Sequence, residues 1–408
     1  MAGVGRGIAT LAVVVAVLGS SSAAQAADAD WARGALADQY ELGSALPLRN
    51  TPWVGTHNSF NSAAEMGPAL SAQDSNQRIT LVDQLDAGVR SLELDVHWFP
   101  SASGGGFTPV VCHATGEHLG CTIEKPLSVV LDEIAGWLRQ HPGQALLLYL
   151  EDHVDGAEGH DAAAAVVESK LGTMLYRPPG GGASCVPLPL DVTRSAIRAS
   201  GAQVVIVSGC GSGTAWRAVA FDWSAVHEEE GPAGFRDFPD CGPHFTRVQY
   251  DTKLIRYFED STWVSNGPTH PPGTPAPDGI TVQTAAAMAR CGVDLTGMDQ
   301  VDRDDPRFAA LVWSWAPGEP ALRPGCAAQA GGRWYSQPCT RRERVACRGA
   351  GGGWSVPRKA VRFADAAAAC ARAGAAFEVP RSGYEGQLLR VAMERDGAGR
   401  AWVSHRAG

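Results

Sequence analysis

Residues 126–153 read PLSVVLDEIAGWLRQHPGQALLLYLEDH. Leu127, Val130, Leu131, Ile134, Trp137 and Leu138 recur at the spacing of one helix face, and Pro142-Gly143 stops the run. The apolar run Ala145–Leu150 follows at once. An uninterrupted run of this kind fits a strand buried on both faces, as in a parallel sheet covered by helices. Glu151-Asp152-His153 stand at its C-terminal end.

The same alternation of short apolar runs and helical runs extends from Thr51 to about Pro317. Strands are expected at Trp53–Gly55, Val89–Val96, Ala145–Leu150, Gln203–Ser208, near Ala218–Asp222, at Gly292–Met298 and at Leu311–Trp315. A second helix fits Ala162–Leu175, with Asp161 placed to cap it. Roughly 270 residues of this pattern predict an α/β fold, a TIM-type (β/α) barrel that is irregular or lacks a helix in the polar, Pro-rich stretch Gly231–Gly279. A doubly wound open sheet is the alternative. In a barrel every strand delivers its C-terminal residues to one rim, so His57, Asn58, Glu93, Asp95 and Glu151 would converge there.

The ends of the chain differ from this middle. Residues 1–26 carry a lone Arg6, an apolar run from Ile8 to Leu18 and Ala24-Gln25-Ala26, the pattern of a secretory signal peptide with its cleavage site. The run is too short for a membrane span, and no later stretch approaches that length. The mature protein is therefore expected to be exported, with a barrel over 27–320. From residue 321 the chain becomes rich in Gly, Ala, Arg and Cys, which predicts a small disulfide-tied domain over 321–408, including a helix at Ala364–Ala373. Ten cysteines, none in a CxxC pair, suit disulfides in an oxidising compartment rather than zinc. Cys112 and Cys121 can close a small loop with His113 on its rim. A net charge of −9 with no basic run argues against a nucleic-acid partner.

The rim residues suggest chemistry. Glu93 and Asp95, two apart on a strand, point to the same face. With Glu151 and the Asn58 amide oxygen they supply the hard oxygens that Ca²⁺ prefers. A cation there would polarise a phosphoryl oxygen and lower the pKa of a coordinated hydroxyl. His57 is suited to accept the proton of an attacking hydroxyl, and His113 to give one to a departing oxygen.

Thr56-His57-Asn58-Ser59, Arg90–Asp95, Cys112-His113 and Leu150-Glu151-Asp152-His153 resemble, in order and spacing, the catalytic X region of phosphatidylinositol-specific phospholipases C. The resemblance implies that His57 is general base on the inositol 2-hydroxyl and His113 general acid toward diacylglycerol, with a 1,2-cyclic inositol phosphate as first product. It also implies Asn58, Glu93, Asp95 and Glu151 as calcium ligands, and a phospholipid at a membrane surface as partner. Calcium-independent bacterial members carry Asp after the first His and an Arg where Asp95 stands here, so the chain resembles the calcium type. The paired lysines that hold extra inositol phosphates are missing from the comparable run Val204–Ser208, which favours unphosphorylated phosphatidylinositol or a related headgroup. The alternatives are the same site acting on another phospholipid or a glycerophosphodiester, and a non-catalytic secreted binding protein. In the tail, Arg333-Trp334-Tyr335, Cys339, Val345-Ala346-Cys347, Trp354, Ala364–Cys370, Phe377–Arg381 and Ala401-Trp402-Val403 are similar to pieces of C-type-lectin-like folds in an unusual order. That family's sugar-binding triplets are absent, which implies a structural or contact role.

Overall fold

The structure, a computed structural model, describes residues 27–66, 75–101, 104–121, 125–242, 245–262 and 279–408. The expected signal peptide lies outside them, as does 263–278 of the Pro-rich stretch. The backbone forms two compact units, one of 39–303 with Arg381–Gln387, the other of 304–380 and 388–408 with described residues up to Asp38. The change of unit thus falls at 303/304, where the sequence suggested 320/321, because contacts rather than composition group Asp304–Pro320 with the tail.

In the larger unit, parallel strands follow one another around a barrel. Ser91–Pro100 pairs with Leu146–His153, which pairs with Val204–Ser208 and then Phe221–Asp222. His227–Glu230 pairs with Leu254–Phe258, and this with Leu295–Gly297. Residues 53–56 close the ring through parallel bridges from Trp53 to Leu295, Gly55 to Ser91 and Thr56 to Met298. Phe221–Asp222 and His227–Glu230 belong to different sheets, so the ring has one unladdered seam. Leu147, Val205, Val207, Phe221, Leu254 and Leu295 fill the interior together with Trp53.

Helix Leu127–Gln140 forms as its pattern predicts, with all six of its periodic apolar residues buried. The second helix is displaced: it runs Gly156–Leu171, with Asp155 at its N-cap, and Asp161 instead accepts a hydrogen bond from the Ala215 amide at 3.1 Å. Its Ala-rich sequence offers few large side chains to mark its phase. The strand expected at Leu311–Trp315 is absent; Pro306–Leu311 is a helix whose start is set by the Asp305 cap and Pro306 at the first turn. The Gly231–Gly279 stretch is more regular than expected, holding helix Arg247–Thr252 and strand Leu254–Phe258. Helix Val282–Cys291, bounded by Thr281 and a left-handed Gly292, was not foreseen.

After Val96 the first long strand continues past the rim and Phe107–Val111 returns antiparallel to it. The Cys112 amide then donates to the Asp95 carbonyl (3.3 Å), and the expected Cys112–Cys121 disulfide closes the loop. Cys185–Cys210 and Cys241–Cys291 are the other bridges of this unit, and no cysteine is free. Arg381–Gln387 returns from far along the chain: the Arg247 guanidinium lies 4.2 Å above the Tyr384 ring, and a Cβ on Gly383 would collide with the Ala289 carbonyl.

The smaller unit has a five-stranded sheet in the order Arg333–Gln337, Gly325–Ala330, Ala401–Ala407, Arg342–Val345, Val361–Arg362. Cys326–Cys339 and Cys347–Cys370 tie it, and Ala328, Val345, Ala366 and Trp402 make its core. The helix expected at Ala364–Ala373 spans Ala366–Arg372. Among the described residues no helix is long and apolar enough to cross a membrane.

Candidate active site

His57 is pinned by its backbone before its side chain is considered. Its amide donates to the Met298 carbonyl (3.1 Å), while the Thr56 amide bonds Ser91 O (3.2 Å), so the segment is held from both neighbouring strands. Asn58 then turns the chain at φ 43°, a left-handed conformation that Asn tolerates better than most residues. Ser59 ties this turn to the next strand: its amide bonds Glu93 O and its hydroxyl accepts from the Glu93 amide, both at 3.0 Å.

The His57 ring faces Asp299, with Nδ1 3.3 Å from Oδ1. Asp299 is itself fixed by the Ser261 amide (2.8 Å) and hydroxyl (3.0 Å) and by the Asn76 amide (3.0 Å). Gln77 donates to both the His57 carbonyl (2.5 Å) and Asp299 Oδ1 (3.3 Å). Beside the Asp299 carboxylate Nδ1 is the nitrogen placed to donate, which leaves Nε2 for chemistry. Burial pushes the imidazolium down, but the Asp299 and Glu93 carboxylates outweigh it and raise its pKa to about 10.

Glu93, Asp95 and Glu151 each bring a carboxylate oxygen within 4.8 Å of the others. The register explains this: Asp95 lies directly beside Glu151 on the paired strand, and Glu93 is two residues back on the same face. Burial, then the charges of Glu151 and Glu93, lift Asp95 well above the usual carboxylate range. Burial likewise lifts Glu93, although Arg256 opposes it. Burial raises Glu151, but His153 (Nε2 3.4 Å from Oε1) together with the charges of His57 and Arg256 outweighs it, and the carboxylate is drawn below its ordinary value. The Asn58 side-chain amide lies 2.9 and 2.5 Å from the two Asp95 oxygens. With its NH₂ toward them it donates to the carboxylate; with its oxygen toward them it adds a fourth acceptor. Crowded, mutually repelling oxygens from three carboxylates and an amide fit a hard cation that takes several oxygen ligands.

A second charged group enters from the Leu254–Phe258 strand. The Arg256 guanidinium is buried, bonds Glu93 Oε2 through one arm and Glu229 Oε1 at 2.6 Å through the other, and lies 5.4 and 5.0 Å from the Tyr149 and Phe258 ring centres. Burial alone would raise Glu229, but His227 and Arg256 hold it down to about 2.

The structure therefore gathers Asn58, Glu93, Asp95 and Glu151 and sets His57 beside them. His113 follows Cys112, whose amide is bonded to Asp95, so its backbone adjoins the cluster on the returning excursion. Asp299, Asn76, Gln77, Arg256 and Glu229 were not foreseen. Asp299 directly follows a strand that was read, and a carboxylate one step beyond a buried strand was the available signal. Arg256, inside the apolar run Leu-Ile-Arg-Tyr-Phe, was the other.

A family model described as the Rv2075c PI-PLC-like domain matches residues 13–305. Over 394 residues the chain is 43% identical to the uncharacterized protein Rv2075c of Mycobacterium tuberculosis, covering 92% of this chain and 80% of that protein. Over 130 residues it is 29% identical to the PI-PLC X domain-containing protein At5g67130 of Arabidopsis thaliana, covering 31% of this chain and 29% of that protein. Among solved structures, a phosphatidylinositol-specific phospholipase C from Listeria monocytogenes aligns with a TM-score of 0.43 at 14% identity, covering 66% of this chain and 95% of that one.

Proposed function

The chain belongs to the Rv2075c PI-PLC-like family, which makes it a phosphodiesterase-type enzyme, and from that premise we propose that it cleaves phosphatidylinositol to diacylglycerol and a 1,2-cyclic inositol phosphate with calcium bound at the carboxylate cluster. The observation that carries this reading is the juxtaposition of His57, backed by Asp299, with Asn58 and with Glu93, Asp95 and Glu151 on two paired strands.

Each residue then has a defined task. Asp299 holds the His57 ring so that Nε2 meets the inositol 2-hydroxyl and takes its proton as the oxygen attacks phosphorus. The bond from phosphorus to the diacylglycerol oxygen breaks, and His113, carried on the excursion beside Asp95, protonates the departing oxygen. In-line displacement requires base and acid on opposite sides of phosphorus. Asn58, Glu93, Asp95 and Glu151 would hold the calcium. Bound there, it supplies charge that polarises a phosphoryl oxygen, lowers the pKa of a coordinated hydroxyl and offsets the carboxylate field that keeps His57 protonated. Export fits the complete pairing of the cysteines, since disulfides persist in oxidising compartments.

The test is release of cyclic inositol phosphate from phosphatidylinositol vesicles, with calcium or with chelator. Turnover that chelator abolishes is expected. Full activity in excess chelator overturns the calcium assignment, and turnover confined to glycerophosphodiesters overturns the headgroup.

A further inference from the structure

A cluster of three carboxylates, two of them buried, needs positive charge, and part of it is already built into the barrel. Arg256 is 5% exposed, and its two arms reach Glu93 on one side and Glu229 on the other. Glu93 Oε2 also accepts from the Asn58 amide at 3.2 Å, so one oxygen of this carboxylate is committed twice. The Tyr149 and Phe258 rings flank the guanidinium. Glu229 Oε1 lies in turn 3.0 Å from His227 Nε2, and His227 stacks on Trp223 with ring centres 3.8 Å apart. Arg256 is thus held from behind, in a chain running from Trp223 through His227 and Glu229 to Glu93.

The geometry points to Arg256 as a resident counter-ion of the cluster: a divalent cation entering beside Asp95 and Glu151 must share Glu93 with the guanidinium, so the arginine weakens cation binding and sets its strength. This rests on the calcium reading for the cation it opposes but not for the ion pair itself. A guanidinium that shares one ligand reduces the negative charge the cation meets. Like charges a few ångströms apart repel strongly enough, even at protein-like dielectric, to change affinity by about tenfold or more.

The experiment is calorimetric titration of Ca²⁺ alone into the full chain, comparing the natural protein with Arg256→Met and with the double variant Arg256→Met/Glu229→Gln. The double variant removes both charges of the supporting pair, so it answers the question if Arg256→Met leaves Glu229 stranded and unfolds. Thermal melts establish that each is folded. Calcium is expected to bind either variant about tenfold more tightly or better, and the gain should survive high ionic strength because a buried pair is little screened. Equal or weaker binding by the folded variants overturns the proposal while leaving the calcium reading intact. So does a gain that salt abolishes, because it would be long-range field rather than a shared ligand. Binding by the variants with none by the natural protein upholds the counter-ion and removes the calcium reading. Binding by none of them removes both.

Discussion

Asp299 meets His57 where the first and last strands of the barrel are bridged, and its contribution can be isolated. Asp299→Asn keeps the size but not the charge. Steady-state kinetics should show kcat falling by roughly 10²-fold or more with KM little changed, the size of effect that attends loss of a positioned base; an unchanged kcat would remove Asp299 from the mechanism. For the acid, His113→Ala should retain more activity on an aryl phosphodiester of inositol than on phosphatidylinositol, since a good leaving group needs no proton. Equal losses on both would refute His113 as the donor. Away from the site, burial pushes the His160 imidazolium down, but Asp152 (2.9 Å) and the Gly156 carbonyl (2.7 Å) outweigh it and its pKa is raised. A raised imidazolium contributes stability that is complete below the ordinary histidine pKa of about 6.5 and is lost as pH rises through the folded value. Asp152→Asn should therefore lower the melting temperature more at mildly acidic than at alkaline pH. Glu93 and Asp95 were legible because strand periodicity puts them on one face. Arg256 and Asp299 were not, because their partners lie 163 and 242 residues away and nothing local distinguishes them from solvated charges.

At the scale of elements, the loop closed by Cys112–Cys121 links covalent structure to activity. Bridging so short a loop stabilises by roughly 2–3 kcal/mol in the chain-entropy model. Its greater effect should be on His113, which sits one residue from the bridge. Cys112→Ser/Cys121→Ser is expected to lower kcat far more than a modest fall in melting temperature would explain; proportionate losses would mean that the loop only stabilises. Elements with large apolar residues at regular spacing, such as Leu127–Gln140, are legible in position and in buried face. Gly156–Leu171 was read several residues late because alanines carry little phase information. A strand is expected at Leu311–Trp315 because Val312–Trp315 looks apolar and extended, although the helix start signal Asp305-Pro306 stands just upstream.

For the whole molecule, the barrel was legible from alternation alone, but the division into units was not. Composition changes near residue 321, whereas the backbone changes unit at 303/304 and comes back for Arg381–Gln387. That short segment contributes Tyr384 against Arg247 and Phe238, and Gly383 against the Ala289 carbonyl. Tyr384→Ala should therefore lower the melting temperature of the full-length chain, and Gly383→Ala should do the same. Unchanged melting in both would show the segment to be dispensable.

The same return also acts as a timetable. A polypeptide is made from its N-terminus, and units tend to fold as they emerge. Every barrel strand and every candidate catalytic residue is present by residue 303, yet the last piece of the unit arrives only with Gln387. The ribosome must therefore finish most of the tail before the barrel can close on its final contacts. Premature termination anywhere between these points leaves a chemically complete site on an unfinished scaffold.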